Sequence, residues 1–240
     1  MIMDNIKLKQ SQFIVAIERY KNKSIYKIFD KCIAILNVSL QIILACLIFR
    51  FRINWFQHFF LFIIAYFFAD FINGLVHMYM DSNDNYDSIA GPLIANFHLH
   101  HRTPLYKKNN VIIVYFNESG SKIWLCGFML IFLILINIFN VNPIVSYGLF
   151  YFCVLSSVAE VSHYLCHVSN SKVVDFFMKI YILLNKKHHA KHHIEDNVNY
   201  AFLNGMSDIL INNVANRFYY GYKNTTDKHY AFYKDNEDSR

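Results

Sequence analysis

The longest apolar stretch of the chain, Ile123–Ala159, holds 37 residues without an acidic or basic side chain. Two shorter uncharged runs, Cys32–Phe49 and Ile53–Ala69, hold 18 and 17 residues. A helix crosses the hydrocarbon of a bilayer with about 20 apolar residues. Because proline lacks a backbone donor and ends the helix before it, the long run divides at Asn140–Pro143. The pattern predicts four transmembrane helices, at about 31–50, 53–74, 122–139 and 143–163.

The composition agrees with lipid as part of the solvent. Apolar residues make up 55% of the chain and charged residues 17%, against about 45–50% and about 25% in soluble domains. A soluble all-helical protein is the alternative, but buried core helices are seldom uncharged over four such lengths. The net charge of +6 forms no basic stripe interleaved with stacking aromatics, which argues against a nucleic-acid partner. We therefore predict an all-α, multi-pass integral membrane protein.

The short connections predict two hairpins that return residues 1–30, 75–121 and the C-terminal third to one side of the membrane. Six basic residues precede the first span, against Asp4, Glu18 and Asp30, and the positive-inside rule puts that side in the cytoplasm. Arg50 and Arg52 lie on the opposite side. We expect a cytosolic N-terminal segment (1–30), a membrane-embedded domain (31–215) and a polar C-terminal tail (216–240).

Ten of the twelve histidines fall in four groups, all on the side predicted to be cytoplasmic, which suggests a histidine-rich helical cap. His58 and His229 lie outside these groups, and we expect them to be ordinary polar residues. The groups are His77; His98, His100 and His101; His163 and His167; and His188, His189, His192 and His193.

Spacing places these side chains on shared helix faces. His163 and His167 are four residues apart, and His189, His192 and His193 form an HxxHH triplet; both spacings keep side chains on one face of a helix. Eight or more imidazoles exceed the four to six ligands of one ion, so the count favours two metal ions. A further stripe of polar residues leaves the second span: Asp70, Asn73, His77 and Asp81.

The residue types narrow the chemistry without choosing the metal. Imidazole binds zinc, copper, iron and nickel alike, and the HExxH pattern of zinc hydrolases does not occur. Two irons that activate O₂ would suit attack on an unactivated C–H bond of a lipid chain. Asp70 and Glu160 lie near span ends and should have partners, either a metal or an imidazole N–H. The pattern does not decide whether Asp81 binds a metal or accepts a hydrogen bond from an imidazole.

A membrane metal transporter or sensor is a competing function from another class. A transporter should carry ionisable residues along its spans near the middle of the bilayer. Only His58, Asp70 and Glu160 meet that condition even loosely. The histidines gather at one surface instead, which favours an enzyme.

Five motifs in order resemble the lipid desaturase domain family: ADFINGLVHMYMD, FHLHHRTP, FNESG, HYLCH and KKHHAKHH, with Tyr200 seven residues after the last. That family includes plasmanylethanolamine desaturase, its bacterial CarF-type relatives and a plastid phosphatidylglycerol desaturase. The resemblance covers roughly Ala69–Gly205. It implies a membrane-embedded desaturase with a histidine-bound di-iron centre, which uses O₂ as co-substrate and acts on a chain of an intact phospholipid.

The resemblance also implies the site residues and partners. Because the chain has no flavin or haem motif, electrons are expected from an external carrier of the cytochrome b5 or ferredoxin type. The membrane would be the endoplasmic reticulum in a eukaryote or the inner membrane in a bacterium. His188 matches the doubled histidine of the family's last motif and is open between ligand and supporting residue. The implied ligands are His77, His100, His101, His163, His167, His189, His192 and His193.

Several positions depart from the family pattern. His98 and Leu99 stand where Arg-Glu is usual, and Val114 stands where a histidine is common. His98 is therefore a hypothetical replacement for the missing nitrogen. Glu160 and Val161 stand where Asn-Gln is usual. These departures leave two activities open. One is formation of a vinyl ether on plasmanylethanolamine, and the other is an acyl-lipid or fatty acid desaturase or hydroxylase with the same histidine cage. The apolar segment Val173–Leu184 is either an interfacial cover for the cage or a packed amphipathic helix.

Overall fold

The computed structural model describes residues 2–102, 110–117, 122–219, 221–223, 225–231 and 233. This part of the chain contains eleven α-helices and no β-strand, which confirms the all-helical prediction. The helices are α1 (Ile2–Asn22), α2 (Ser24–Ile48), α3 (Trp55–Ser82), α4 (Gly91–Arg102), α5 (Val111–Asn117), α6 (Ile123–Ile138), α7 (Pro143–Val168), α8 (Lys172–Lys179), α9 (Lys186–Ile194), α10 (Asp208–Phe218) and α11 (Thr226–His229).

Three helices, α2, α3 and α7, are long and apolar enough to cross a membrane. The remaining predicted span, 122–139, corresponds to the apolar helix α6, which has only 16 residues. Local capping explains two of the boundaries. Asn54 and Gln57 form a capping box at the start of α3, and Asn142 caps α7 with Pro143 at its first position. The predicted break at Asn140–Pro143 is therefore confirmed.

The apolar core lies among α2, α3, α6 and α7, with Leu44, Ala69, Met129 and Cys153 fully buried in it. The outer faces of the same helices leave large apolar side chains exposed, among them Phe60 at 61%. An apolar surface of that kind suits contact with lipid.

Polar side chains cross-link the helices inside this bundle. Ser157 on α7 accepts hydrogen bonds from Asn37 (3.1 Å) and Gln41 (2.8 Å) on α2. Asn73 on α3 donates to Ser156 on α7 at 3.0 Å. Such bonds add to the packing of helices in lipid, where an unpaired polar group is costly. The bond between Asn73 and Ser156 joins α3 to α7, the two helices that carry histidines at their far ends.

The N-terminal segment is packed against the rest of the molecule. Phe13 and Ile17 of α1 are buried against Tyr86, Ile94 and Tyr230. The predicted polar tail likewise contains a short helix, α11, that contacts α1. Residues 234–240 of that tail lie outside the described residues.

Candidate metal centre

Two long helices continue past their predicted spans and carry histidines out of the apolar core. Helix α3 runs eight residues beyond position 74, and α7 runs five residues beyond position 163. The short helices α4 and α9 bring the other two motifs to the same place. The result is two groups of potential ligand atoms, each with all its atoms within 4.8 Å of one another. The Asp81 group is His77, Asp81, His100, His101 and His192, and the four-histidine group is His163, His167, His189 and His193.

Asp81 lies among the imidazoles of its group. Its Oδ2 is 3.2 Å from Nε2 of His77 and 3.4 Å from Nε2 of His192. Its Oδ1 is 3.1 Å from Nε2 of His101. The carboxylate therefore has the position of a potential ligand, which the sequence pattern alone left open.

Backbone carbonyls orient three imidazoles of the Asp81 group. Nδ1 of His77 lies 2.8 Å from the Tyr200 carbonyl. Nδ1 of His192 lies 2.9 Å from the Val198 carbonyl. Nδ1 of His100 lies 2.6 Å from the Phe97 carbonyl in the same way. A proton on Nδ1 leaves the Nε2 lone pair free to face a metal, and the carbonyl fixes the ring.

In the four-histidine group the Nε2 atoms meet at one point. His189 Nε2 lies 2.9 Å from that of His163, 3.0 Å from that of His167 and 3.0 Å from that of His193. Two nitrogens that bind one ion at about 2.1 Å and at right angles are about 3.0 Å apart. Four converging nitrogens cannot all satisfy one another by sharing protons. The donor set and its spacing therefore fit a metal ion.

Buried polar atoms of the Asp81 group lead to the same conclusion. Among the described residues, Nε2 of His77, Nε2 of His100 and both carboxylate oxygens of Asp81 are buried without a hydrogen bond of suitable geometry. Burial of a carboxylate without well-formed hydrogen bonds is costly, and a cation bound among these atoms would lower that cost.

Electrostatics keep most of these imidazoles neutral, which is the form that binds metal. Burial and the neighbouring imidazoles lower the pKa of His189 well below its usual value and lower that of His193 to about 2. His101 differs. Burial works against its charged form, but Asp81 and Asp227 outweigh burial and raise the pKa of His101 to about 9.

Asp227 is a contributor that the sequence pattern did not reveal. Its Oδ1 lies 3.3 Å from Nδ1 of His101, and its Oδ2 lies 2.8 Å from Nζ of Lys223. Burial would raise the pKa of this carboxyl, but His101 and Lys223 lower it to about 2. A carboxylate behind an imidazole orients it and increases its basicity. Asp227 lies in the C-terminal tail outside any motif, so the spacing of residues in the motifs could not predict its contact with His101.

The two groups lie side by side around the ring of Phe202. This ring stacks on His163 with a centroid separation of 4.3 Å and lies 4.2 Å from the ring of His77. The rings of His101 and His193, one from each group, are 5.1 Å apart. Two ions held here would be neighbours.

Asp70 has a different role from the two predicted for it. Its Oδ1 accepts backbone N–H groups of Leu203, Asn204 and Gly205 at 3.0, 2.9 and 3.3 Å. Its Oδ2 accepts the backbone N–H and the hydroxyl of Ser207 at 3.0 and 2.6 Å. Asp70 therefore holds the loop that follows Tyr200 and Phe202. The Tyr200 carbonyl orients His77, and the Phe202 ring packs against both groups.

Glu160 is also paired away from the imidazoles. Its Oε1 lies 2.9 Å from Nζ of Lys122, a buried lysine that also donates to the side-chain oxygen of Asn73. The expectation that this carboxylate has a partner is met, but the partner is a lysine rather than a ligand histidine.

The structure places His98, the hypothetical replacement for a missing ligand, outside both groups. Its Nδ1 lies 2.9 Å from the Tyr86 hydroxyl, and its Nε2 lies 2.8 Å from the Met80 carbonyl. Both ring nitrogens are thus engaged outside the two groups. Val114, at the position of the absent histidine, is buried in an apolar cluster with Tyr164.

His188 also lies outside both groups. Its Nε2 is 2.6 Å from Oδ2 of Asp208, whose Oδ1 accepts the backbone N–H of Ala201 at 2.9 Å. His188 therefore supports the same loop as Asp70. Gly205 makes room for it, because a Cβ at this position would lie 2.7 Å from Nε2 of His188.

The two histidines set apart in the sequence behave as ordinary polar residues. His58 lies 2.7 Å from the hydroxyl of Tyr151 inside the bundle. His229 lies 3.2 Å from the hydroxyl of Tyr86. Thr103 and Glu118, which belong to two of the motifs, fall outside the described residues.

Comparison with known proteins gives one match. A family model described as the lipid desaturase domain matches residues 66–220, which include every residue of both groups. No curated protein and no solved structure matches the chain.

Proposed function

Because the chain belongs to the lipid desaturase domain family, we propose that it is a di-iron, O₂-dependent membrane lipid desaturase. Its favoured substrate is plasmanylethanolamine, in whose alkyl chain it would introduce the vinyl-ether double bond of a plasmalogen. The observation that carries the proposal is the pair of adjacent ligand groups, which supports two ions rather than one. Two irons with O₂ would supply an oxidant able to remove hydrogen from two adjacent carbons.

The residues of the chain prepare the site for that chemistry. The carbonyls of Tyr200 and Val198 hold His77 and His192 with Nε2 directed inward. Asp81 supplies negative charge among imidazoles that are mostly neutral, and this charge offsets part of the charge of bound cations. Phe202 packs against His77 and His163, one histidine from each group.

We assign the membrane arrangement on the same grounds. Helix α6 would complete four spans in two hairpins, with the ligand groups in a cap on the cytoplasmic side. Val173 and Phe176 of α8 and Ile180, which follows the helix, are exposed while Met178 is buried, as expected for a helix at the membrane interface. Electrons would come from an external cytochrome b5- or ferredoxin-type donor.

The test is expression in cells that lack vinyl-ether lipids, with and without a supply of alkylglycerol. We expect acid-labile vinyl-ether phosphoethanolamine lipids and two irons in the purified protein. His163→Ala should abolish the product, whereas His58→Ala serves as a histidine control outside both groups. An unsaturated or hydroxylated acyl chain with full iron would assign the acyl-lipid alternative. Zinc without iron would contradict oxidation altogether, and movement of metal across vesicles would indicate a transporter.

A further inference from the structure

A cavity of about 770 Å³ leads from the ligand groups to the N-terminal segment. Small-molecule sites in proteins have about 300–1,000 Å³. Its inner end is lined by His100 and His163, one histidine from each group, together with Phe202. A molecule in this cavity therefore has access to both groups.

The outer end of the cavity, which we call the mouth, carries charge of both signs. It is lined by Tyr20, Lys27, Asp30 and Lys31. The hydroxyl of Tyr20 donates to Oδ2 of Asp30 at 2.6 Å and holds that carboxylate in place. Lys27 and Lys31 form no ion pair with any carboxylate of the described residues. Asp30 and Lys31 lie three and four residues after Lys27 on α2, so the three side chains share one helix face.

We propose that the mouth is the headgroup site for a zwitterionic phosphoethanolamine lipid, an inference that rests on the desaturase function proposed above. Lys27 and Lys31 would bind the phosphate. Asp30 would bind the ammonium, which reaches it through charge-assisted hydrogen bonds that a trimethylated amine lacks. These residues precede position 66, where the family match begins, so the headgroup site is a feature of this chain's own N-terminal part.

Helix α4 gives a scale for the distance between the mouth and the ligand groups. Tyr20 packs against the cluster that contains Ile94, and Ile94 and His100 lie about 9 Å apart along α4 at 1.5 Å per residue. An extended chain advances about 1.2 Å per bond. The first two carbons of an ether-linked alkyl chain, about six and seven bonds from phosphorus, would lie roughly 7–8 Å away. The ninth carbon of an acyl chain reaches at most roughly 17 Å from phosphorus, so the chain would have to fold back to bring it to the same place.

Binding of a short-chain 1-O-alkyl lysophosphoethanolamine tests the proposal, measured by titration calorimetry on the full chain in an uncharged maltoside detergent. Lys27→Gln/Lys31→Gln should weaken binding at least tenfold, as expected for loss of charged hydrogen bonds. The matched control is Lys7→Gln/Lys23→Gln, which removes the same charge from exposed lysines outside the cavity and should change binding less than about twofold. Equal effects of the two double variants would overturn the proposal.

Headgroup discrimination gives a second readout. The unmodified chain should prefer phosphoethanolamine to phosphocholine, and Asp30→Asn should remove that preference. Tyr20→Phe, which keeps the carboxylate but removes its anchor, should reduce the preference if Asp30→Asn fails to fold. Water-soluble glycerophosphoethanolamine should bind much more weakly than the lysolipid; equal affinity would mean that the site serves a soluble phosphodiester and would overturn the lipid assignment.

The outcomes separate this proposal from the function on which it rests. Binding that depends on Lys27, Lys31 and Asp30, with iron but no vinyl-ether product, would leave the headgroup site standing and refute the reaction. A vinyl-ether product with lipid binding unaffected by Lys27→Gln/Lys31→Gln would refute the headgroup site alone.

Discussion

Replacing Asp70 with asparagine should detach the loop that supports the ligand groups. Asp70 Oδ2 accepts two hydrogen bonds from Ser207, at 3.0 and 2.6 Å, in a fully buried setting. An amide nitrogen in place of this oxygen would face two donors and accept from neither. Hydrogen bonds to a charged group contribute about 1.5–3 kcal/mol each, so we expect Asp70→Asn to cost about 3–5 kcal/mol.

The consequence should extend to metal binding, because the displaced loop carries two contacts of the site. The carbonyl of Tyr200 orients His77, and the ring of Phe202 packs against His77 and His163, one histidine from each group. For a chain of this size the expected loss corresponds to a thermal midpoint lowered by roughly 6–20 °C. We expect bound iron to fall as well, most of all in the Asp81 group.

Thermal unfolding in detergent and iron content per chain, measured on the same preparations, would check this. Asp175→Asn is the matched control, because Asp175 forms only a half-exposed pair with Lys186 at 3.3 Å, worth less than about 1 kcal/mol. An Asp70→Asn protein with the midpoint and iron content of the control would refute the role assigned to Asp70.

Three further substitutions test individual contacts. His189→Ala should remove the ion of the four-histidine group and leave the other ion bound, as measured by iron per chain, because His189 Nε2 contacts the other three nitrogens. Gly205→Ala should lower the thermal midpoint through its positive φ of 84°, at about 1–2 kcal/mol, and through contact with His188; Gly127→Ala, with open space around it, should not. His98→Ala should leave iron content unchanged but lower the midpoint, because two buried hydrogen bonds are lost; a loss of iron would restore it as a ligand candidate.

Local spacing predicted the parts of the site that lie on single helices. His163 and His167 converge because four residues make about one turn. The polar stripe Asp70, Asn73, His77 and Asp81 is buried along α3 as predicted. Helix α3 continues past the apolar run because its polar side chains find partners inside the protein, which an apolar-run criterion does not detect.

Contacts between distant segments were not predictable in the same way. The partners of Asp70 lie more than 130 residues away in sequence, on a loop without regular periodicity. The nitrogens of His98 are directed by Tyr86 and by a carbonyl of α3, so a motif position that looks like a ligand becomes a structural residue. Asp227 reaches His101 only because the C-terminal segment folds back. In each case the deciding partner is set by tertiary packing.

The family-matched region and the segments outside it contribute differently to the site. Residues 66–220 supply all nine residues of the two groups, and this set of donors determines where metal ions can bind. Asp227 from the C-terminal segment then modifies one member, His101, through its second nitrogen. Tyr20 and Asp30 from the N-terminal segment line the cavity that opens on the groups. The flanking segments contact the cavity and the second nitrogen of His101, not the ligand atoms of the two groups. We therefore expect substitutions in them to alter lipid selection without removing the metal ligands.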